Sequence, residues 1–176
     1  MTGAAERDQV RVLVDPAWKA AEDAPEPLLE ALVGAWPILP DGSRDRFRSN
    51  PSYRPSAPGL PLDPVDAVLG AIARGAAGAD DLPALLRDAE LGVAVDERGV
   101  VIVRPAADGT PSAMVTTAYG HRERVPAADW RTVSLAELAE ALPEHGVDVL
   151  LNPGAPTSLR LYADAVRGLA VEDRPS

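Results

Sequence analysis

The residues that could do chemistry in this chain are few, and their spacing excludes more reactions than it offers. There are two histidines. His121 stands in GHRER beside Arg122 and Arg124, His145 stands in a turn before Gly146, and neither has a second histidine at i+3 or i+4 to make a metal-ligand pair. Both read as surface histidines. No serine occupies a G-x-S-x-G elbow. Cysteine is absent, which removes disulfides, thiolate ligands and a thiol nucleophile together. Asp80, Asp81, Asp88 and Glu90 fall at helix-cap and helix-surface positions, and only the fold could set two of them at a distance that makes an acid/base pair. The glycines of GAIARGAAG follow a helical pattern instead of a strand and do not fit G-x-G-x-x-G, so they are no dinucleotide loop. No G-x-x-x-x-G-K-[ST] occurs, and the only lysine is Lys19. No catalytic residue, cofactor or metal is expected.

Binding chemistry remains, at three places. His121, Arg122, Arg124 and Arg131 form a cationic cluster on an otherwise acidic chain, either bridged locally to Glu123 and Asp129 or available to an acidic segment of a partner. NPGAPTS, from Asn152, could present backbone N–H groups to an anion, although such a stretch is more often a plain turn between strands. The passage from Val33 to Pro64 holds seven prolines from Pro37 onward, a density that forbids a regular helix. Its rings admit two readings: anchors that pin an irregular loop over the domain, or a partner-binding surface made by Trp36, Phe47 and Tyr53.

Composition narrows the class of partner. The chain has 176 residues with 17 Lys and Arg against 27 Asp and Glu, a net charge of -10, and no basic run. Nucleic acid, which needs clustered cations to displace counterions, is excluded as a partner, and an anionic membrane surface is disfavoured for the same reason. The apolar fraction of 46% is that of a globular protein. No apolar run approaches the ~18 residues of a membrane span, and MTGAAERDQ lacks the features of a signal peptide. A cytoplasmic location without membrane insertion is the expectation.

The elements that must position these residues follow from periodicity. Val10, Val12 and Val14 make a short strand ended by Asp15-Pro16, then a loop leads to at most a short helix through Leu28, Leu29 and Leu32. Asp63 caps a helix with Pro64 at its first position and Val65, Val68, Leu69 and Ile72 on one face, ended at Arg74-Gly75. A joint, GAAGADD, precedes a second helix through Leu82, Leu85 and Leu86. LGVAV, VVIV and SAMVTTAY, joined by turns at Asp96–Gly99 and Asp108-Gly109, are three neighbouring antiparallel strands. Trp130 to Val133 is a fourth. Ser134 and Glu137 form a capping box for a helix through Leu135, Leu138 and Leu142. VDVLLN is the most buried strand, Ser158 to Leu161 an edge strand through which a homodimer could form, and Tyr162 to Leu169 a closing helix. The division expected is an N-terminal strand and proline-rich extension over 1–62, an α+β domain over 63–169 and a polar tail over 170–176. That domain is read as a single, mainly antiparallel sheet of about five strands with helices packed on it.

From Leu82 to Leu161 the order LPALLRDAELGVAV, hairpin, LAELAEALPEHGVDVLLNPG resembles the SseB N-terminal domain family. With VGAW, RFRSNPSYRPS, DPVDAVL and VTTAYGHR upstream and between, residues 30 to 165 resemble the actinobacterial type VII secretion system-associated proteins built on that fold. The resemblance implies a non-enzymatic cytoplasmic accessory or adaptor that binds a protein, a secretion substrate or a component of the machinery, and adds weight to Trp36, Phe47, Asn50 and Tyr53 as candidate contacts, beside His121 and Arg122 of the cationic cluster. The alternative is a small-ligand-binding protein or enzyme with its site near His121.

Overall fold

A computed structural model of the chain describes residues 9–21, 25–76 and 78–171. Most of the polar tail expected from 170 falls outside that range. The architecture is α+β, as the periodicity predicts, but its strands form two sheets. A three-stranded antiparallel sheet is built from β1 (Val10–Val14), β2 (Leu32–Pro37) and β3 (Arg48–Ser49). A six-stranded sheet has the order β7-β4-β6-β8-β9, with β5 on β6 beside β4. Its strands are β4 (Leu91–Val95), β5 (Val103–Pro105), β6 (Pro111–Thr116), β7 (Asp129–Val133), β8 (Asp148–Leu151) and β9 (Leu159–Leu161).

This larger sheet is mainly antiparallel, as expected, but it has six strands, one parallel pair and a second sheet beside it in the chain, where a single sheet of about five strands was expected. β6 and β8 run parallel, pairing Ser112 with Asp148 through Val115 with Leu151. The short turns do set β4 and β5 antiparallel to β6, but the strand expected over VVIV is reduced to a bridge from Val101 to Val95, and β5 runs over Val103–Pro105 instead. The stretch from Thr117 to Val147 is different: it carries β7 to the far side of β4 and then crosses back through a helix, which is long enough for a parallel return. Because helices cover β4 and β6 on one face and loops on the other, these strands read as continuous apolar runs.

Four helices lie on the core face: α1 (Pro64–Ala73), α2 (Leu82–Asp88), α4 (Leu135–Ala141) and α5 (Ala163–Val171). Val65, Leu69, Leu86, Leu135, Leu138 and Val166 from these helices meet Leu91, Val93, Val115, Val149 and Leu151 from the sheet. On the opposite face Ala94 and Met114 pack with Val125 and, less buried, Trp130 and Leu150. A short fifth helix, α3 (Tyr119–Arg122), interrupts the run from β6 where the sequence reading extended the strand. Among the described residues no helix is long and apolar enough to cross a membrane.

The N-terminal segment is more regular than its prolines imply. A single 3-10 turn at Leu29–Ala31 replaces the short helix, and β2 follows at once. Pro37 ends β2 instead of interrupting it, so its missing N–H removes nothing from the ladder. The Phe47 N–H donates to the Asp88 carbonyl, and the Phe47 carbonyl accepts from Glu90 N–H at 3.0 Å, which ties this segment to the chain between α2 and β4. A side chain could not fit where Phe47 crosses Gly34: a Cβ there would stand 2.3 Å from the Phe47 ring and 2.4 Å from the Arg48 carbonyl oxygen. Gly34→Ala is therefore expected to cost about 3 kcal/mol of unfolding free energy, read by urea denaturation. An unchanged midpoint would mean that the ring does not lie on β2.

Candidate functional site at the carboxyl ends of the parallel strands

β6 and β8 end side by side, and the polar residues just beyond them meet the start of α1. Asn152 has φ 48°, the left-handed region that asparagine tolerates better than other residues with a side chain. Its amide N–H continues the ladder to the Val115 carbonyl at 2.8 Å, and its side chain turns onto Thr117: Oδ1 accepts from the Thr117 N–H at 2.9 Å, and Nδ2 donates to Thr117 Oγ1 at 3.0 Å. The Thr117 hydroxyl in turn donates to Asp63 Oδ2 at 2.5 Å. Asp63 caps α1, accepting from Asp66 N–H at 2.8 Å. Asp66 accepts from the Thr157 hydroxyl and from Leu62 N–H, the latter at 3.0 Å.

Burial pushes the Asp63 carboxyl up from 3.8 to about 6; the Thr117 hydroxyl and the Asp66 N–H oppose the shift, and the Asp66 charge adds to it. His121 closes the cluster, with Nε2 3.6 Å from Asp66 Oδ1 and Nδ1 3.2 Å from an Arg124 guanidinium nitrogen. A guanidinium can only donate, so Nδ1 is the acceptor and Nε2 carries the proton. Burial lowers the His121 pKa, against the Asp66 carboxylate, and Arg124 lowers it further, so the ring is neutral at pH 7. The ring is 2% exposed, which corrects the expectation of a surface histidine, whereas His145 is exposed. The cause is α3, whose Gly120 sits so close to Leu62 that a Cβ there would lie 2.9 Å from that side chain, tucking the turn under the entry to α1. Two carboxylates and an imidazole are thus gathered, with Asp63 and His121 closed off from solvent and Asp66 mostly so.

A slot open to solvent lies beside this cluster. Thr132, Gly92 and Thr116 stand in register across β7, β4 and β6. The Arg122 guanidinium lies over Gly92, where a Cβ would stand 2.8 Å from one of its nitrogens and 2.9 Å from Thr116 Oγ1. It is clamped by rings, 3.9 Å from the Tyr119 centroid and 5.1 Å from that of Trp130. Burial lowers its pKa, Tyr119 and Asp129 oppose this, and an arginine remains charged regardless. Arg122 Nε and Thr116 Oγ1 are both buried and have no hydrogen-bond partner among the described residues. The enclosed part of the slot measures about 10 Å³, room for one water-sized group.

The remaining candidate residues are mostly internal. Tyr53 is buried and donates to Asp15 Oδ2 at 3.1 Å, while Ala17 N–H, Ser56 N–H and the Ser56 hydroxyl bind the same carboxylate. Burial alone would raise the Asp15 pKa, but these donors hold it below its ordinary value. Phe47 is buried and packs on Trp36 at 4.8 Å between centroids. The Trp36 indole N–H donates to Asp88 at 2.8 Å, and Asn50 Nδ2 donates to the Leu29 and Leu32 carbonyls at 2.7 and 2.8 Å. Phe47 and Tyr53 are thus internal anchors, as the pinned-segment reading has them, while Trp36 and Asn50 stay half-buried. Arg131 leaves the cationic cluster altogether and donates to the Gly99 carbonyl at 3.0 Å.

Asp63, Thr117 and Asn152 were legible singly, as a cap, a strand end and a turn. Their convergence was not, since 54 residues separate Asp63 from Thr117 and 35 separate Thr117 from Asn152. Among the described residues no group of three or more His, Asp or Glu is placed to hold a metal ion. Protein-family models, curated proteins and solved structures contain no match to this chain.

Asp63 makes stability pH-dependent in a defined direction. Between 3.8 and about 6 the folded chain holds a proton on Asp63 that the unfolded chain has released. The stabilising contribution is complete below the unfolded value and is lost as pH rises through the folded one. Asn at this position keeps an acceptor for Asp66 N–H, and the Thr117 hydroxyl can turn to Asn152 Oδ1, 3.2 Å away. Stability relative to Asp63→Asn should fall by up to about 3 kcal/mol between pH 4 and pH 6.5 and then level off, as measured by denaturant titration. A difference independent of pH would place Asp63 in solvent.

Proposed function

We propose that this chain is a non-enzymatic accessory or adaptor protein that binds a protein partner through the Arg122 slot, taking a carboxylate from the partner's surface. The observation that carries the reading is the half-buried Arg122 guanidinium, clamped by Tyr119 and Trp130 at the slot. A planar cation suits a carboxylate oxygen, and the slot is too small for a whole metabolite. The groups that could have done acid/base work support the reading by exclusion, since Asp63 and Asp66 accept from the Thr117 and Thr157 hydroxyls and the His121 ring is buried. The ordered motifs that resemble type VII secretion system-associated proteins make a secretion substrate or machinery component in the cytoplasm the fitting partner. The rival reading, an enzyme with His121 as its base, draws on Asp66 at 3.6 Å from the ring. It requires substrate to reach a side chain that solvent does not.

In nuclear magnetic resonance spectra the Arg122 Nε–Hε signal should shift on addition of acetate or of a glutamate-containing peptide, and the Arg124 signal should not. Capture of a partner from the native host should fall about tenfold or more with Arg122→Gln. Arg122→Lys should behave likewise, because lysine keeps the charge but loses the planar stack, and His145→Gln should capture normally. Equal capture by correctly folded Arg122→Gln protein would overturn the reading.

A further inference from the structure

A second cavity lies on the helix-covered face of the sheet, away from the Arg122 slot. It encloses about 240 Å³, and every residue lining it except Arg131 is apolar. Val93 and Ala113 form its floor, Leu138 and Leu142 one wall, and Val100 and Val103, 60% and 40% exposed, stand at its mouth. Its origin is geometric. After the Val95–Val101 bridge the chain leaves β4 and continues as β5 beside the lower half of β6. Helix α4 has only seven residues and ends at Leu142, whose extended backbone and the following Pro143 turn the chain away before this part of the sheet is covered. Packed interiors rarely leave apolar space larger than a water molecule unfilled. A lined pocket is also not the flat patch that a sheet partner would cover.

We infer that this cavity binds a small amphiphile: an unbranched alkyl chain ending in a carboxylate. The chain is called for by the apolar lining, and the sign of the head group by Arg131. That residue sits on β7 in register with Val93, on the same face of the sheet, and is the one charged group at the site. Its hydrogen-bond partner among the described residues is the neutral Gly99 carbonyl at 3.0 Å, so the cation there is not neutralised by an acid. A carboxylate at the mouth completes that pair while the chain replaces solvent against the valines and leucines. Nothing in this inference rests on the Arg122 slot.

Decanoate, decanol and decylamine, titrated separately into the intact protein, distinguish the head group from the chain. Methyl spectra should show decanoate moving the signals of Val100, Val103 and Leu142 at saturable concentrations. Arg131→Gln should weaken decanoate about fivefold and leave decanol unchanged, the size of one exposed ion pair. Ala141→Phe, at an exposed position that lines the cavity, should fill the space and weaken both about tenfold or more while circular dichroism stays the same. Arg122→Gln should bind decanoate like the unchanged protein, which separates this test from that of the partner-binding reading. The inference is overturned if decanoate leaves those methyl signals in place, if decylamine binds as tightly as decanoate, or if folded Ala141→Phe binds unchanged.

Discussion

The carboxyl group of Asp63 is the joint on which the arrangement turns. It is buried where the N-terminus of α1 meets the ends of two parallel strands, and it is bonded both to the first turn of its own helix and to Thr117. A buried carboxyl without partners would cost several kcal/mol, so its position specifies its neighbours. Thr117 must present a hydroxyl, Asn152 must hold Thr117, and the turn after β8 must enter the left-handed region so that the Asn152 side chain can replace a strand partner. Three stretches far apart in the chain are thereby held in one relation, and the pairing of β6 with β8 is fastened at its carboxyl end.

That joint also decides which polar groups can face outward. With Asp63 bonded to Thr117, Asp66 bonded to Thr157 and the His121 ring buried beside them, the strand ends, which in many α/β folds form a crevice for ligand, are plugged. Chemistry shifts one residue back along β6, to Thr116, whose side chain points to the other face and meets Arg122 over Gly92. The turn of α3 links the two: His121 points inward to Asp66, while the next residue reaches across the sheet to lie between Tyr119 and Trp130. A short helical turn thus separates a sealed imidazole from an accessible guanidinium.

The N-terminal sheet obeys the same rule on a smaller scale. Asp15 gathers Ala17, Tyr53 and Ser56, and the Phe47 backbone pairs with the chain beside Ala89, so a proline-rich run becomes ordered through one carboxylate and one pair of backbone bonds. Its aromatic rings are used up in that ordering. Large rings in an irregular segment are therefore ambiguous signals, because the same side chains serve an inner anchor or an outer contact, and only burial distinguishes them.

Local chemistry alone determined a good part of this protein. The capping box of Ser134 and Glu137, the Asp63 and Pro64 start of α1, the turns at Gly99 and Gly109 and the strand runs of β4, β6 and β8 all depend on neighbours within a few residues, and they stand where their patterns place them. The absence of cysteine and of any basic run was equally plain in composition. Tertiary structure decided the rest: the parallel pairing of β8 with β6, the strand β2 at the start of a passage read as irregular, the burial of His121 and the meeting of Asp63 with Asn152 through Thr117. Each of these depends on groups dozens of residues apart, and charge or ring pattern within a short window carries no record of which distant group will satisfy it. GHRER reads as a solvated run in one dimension, and it becomes one sealed and one clamped side chain only when Leu62 and Gly92 lie on either side of it.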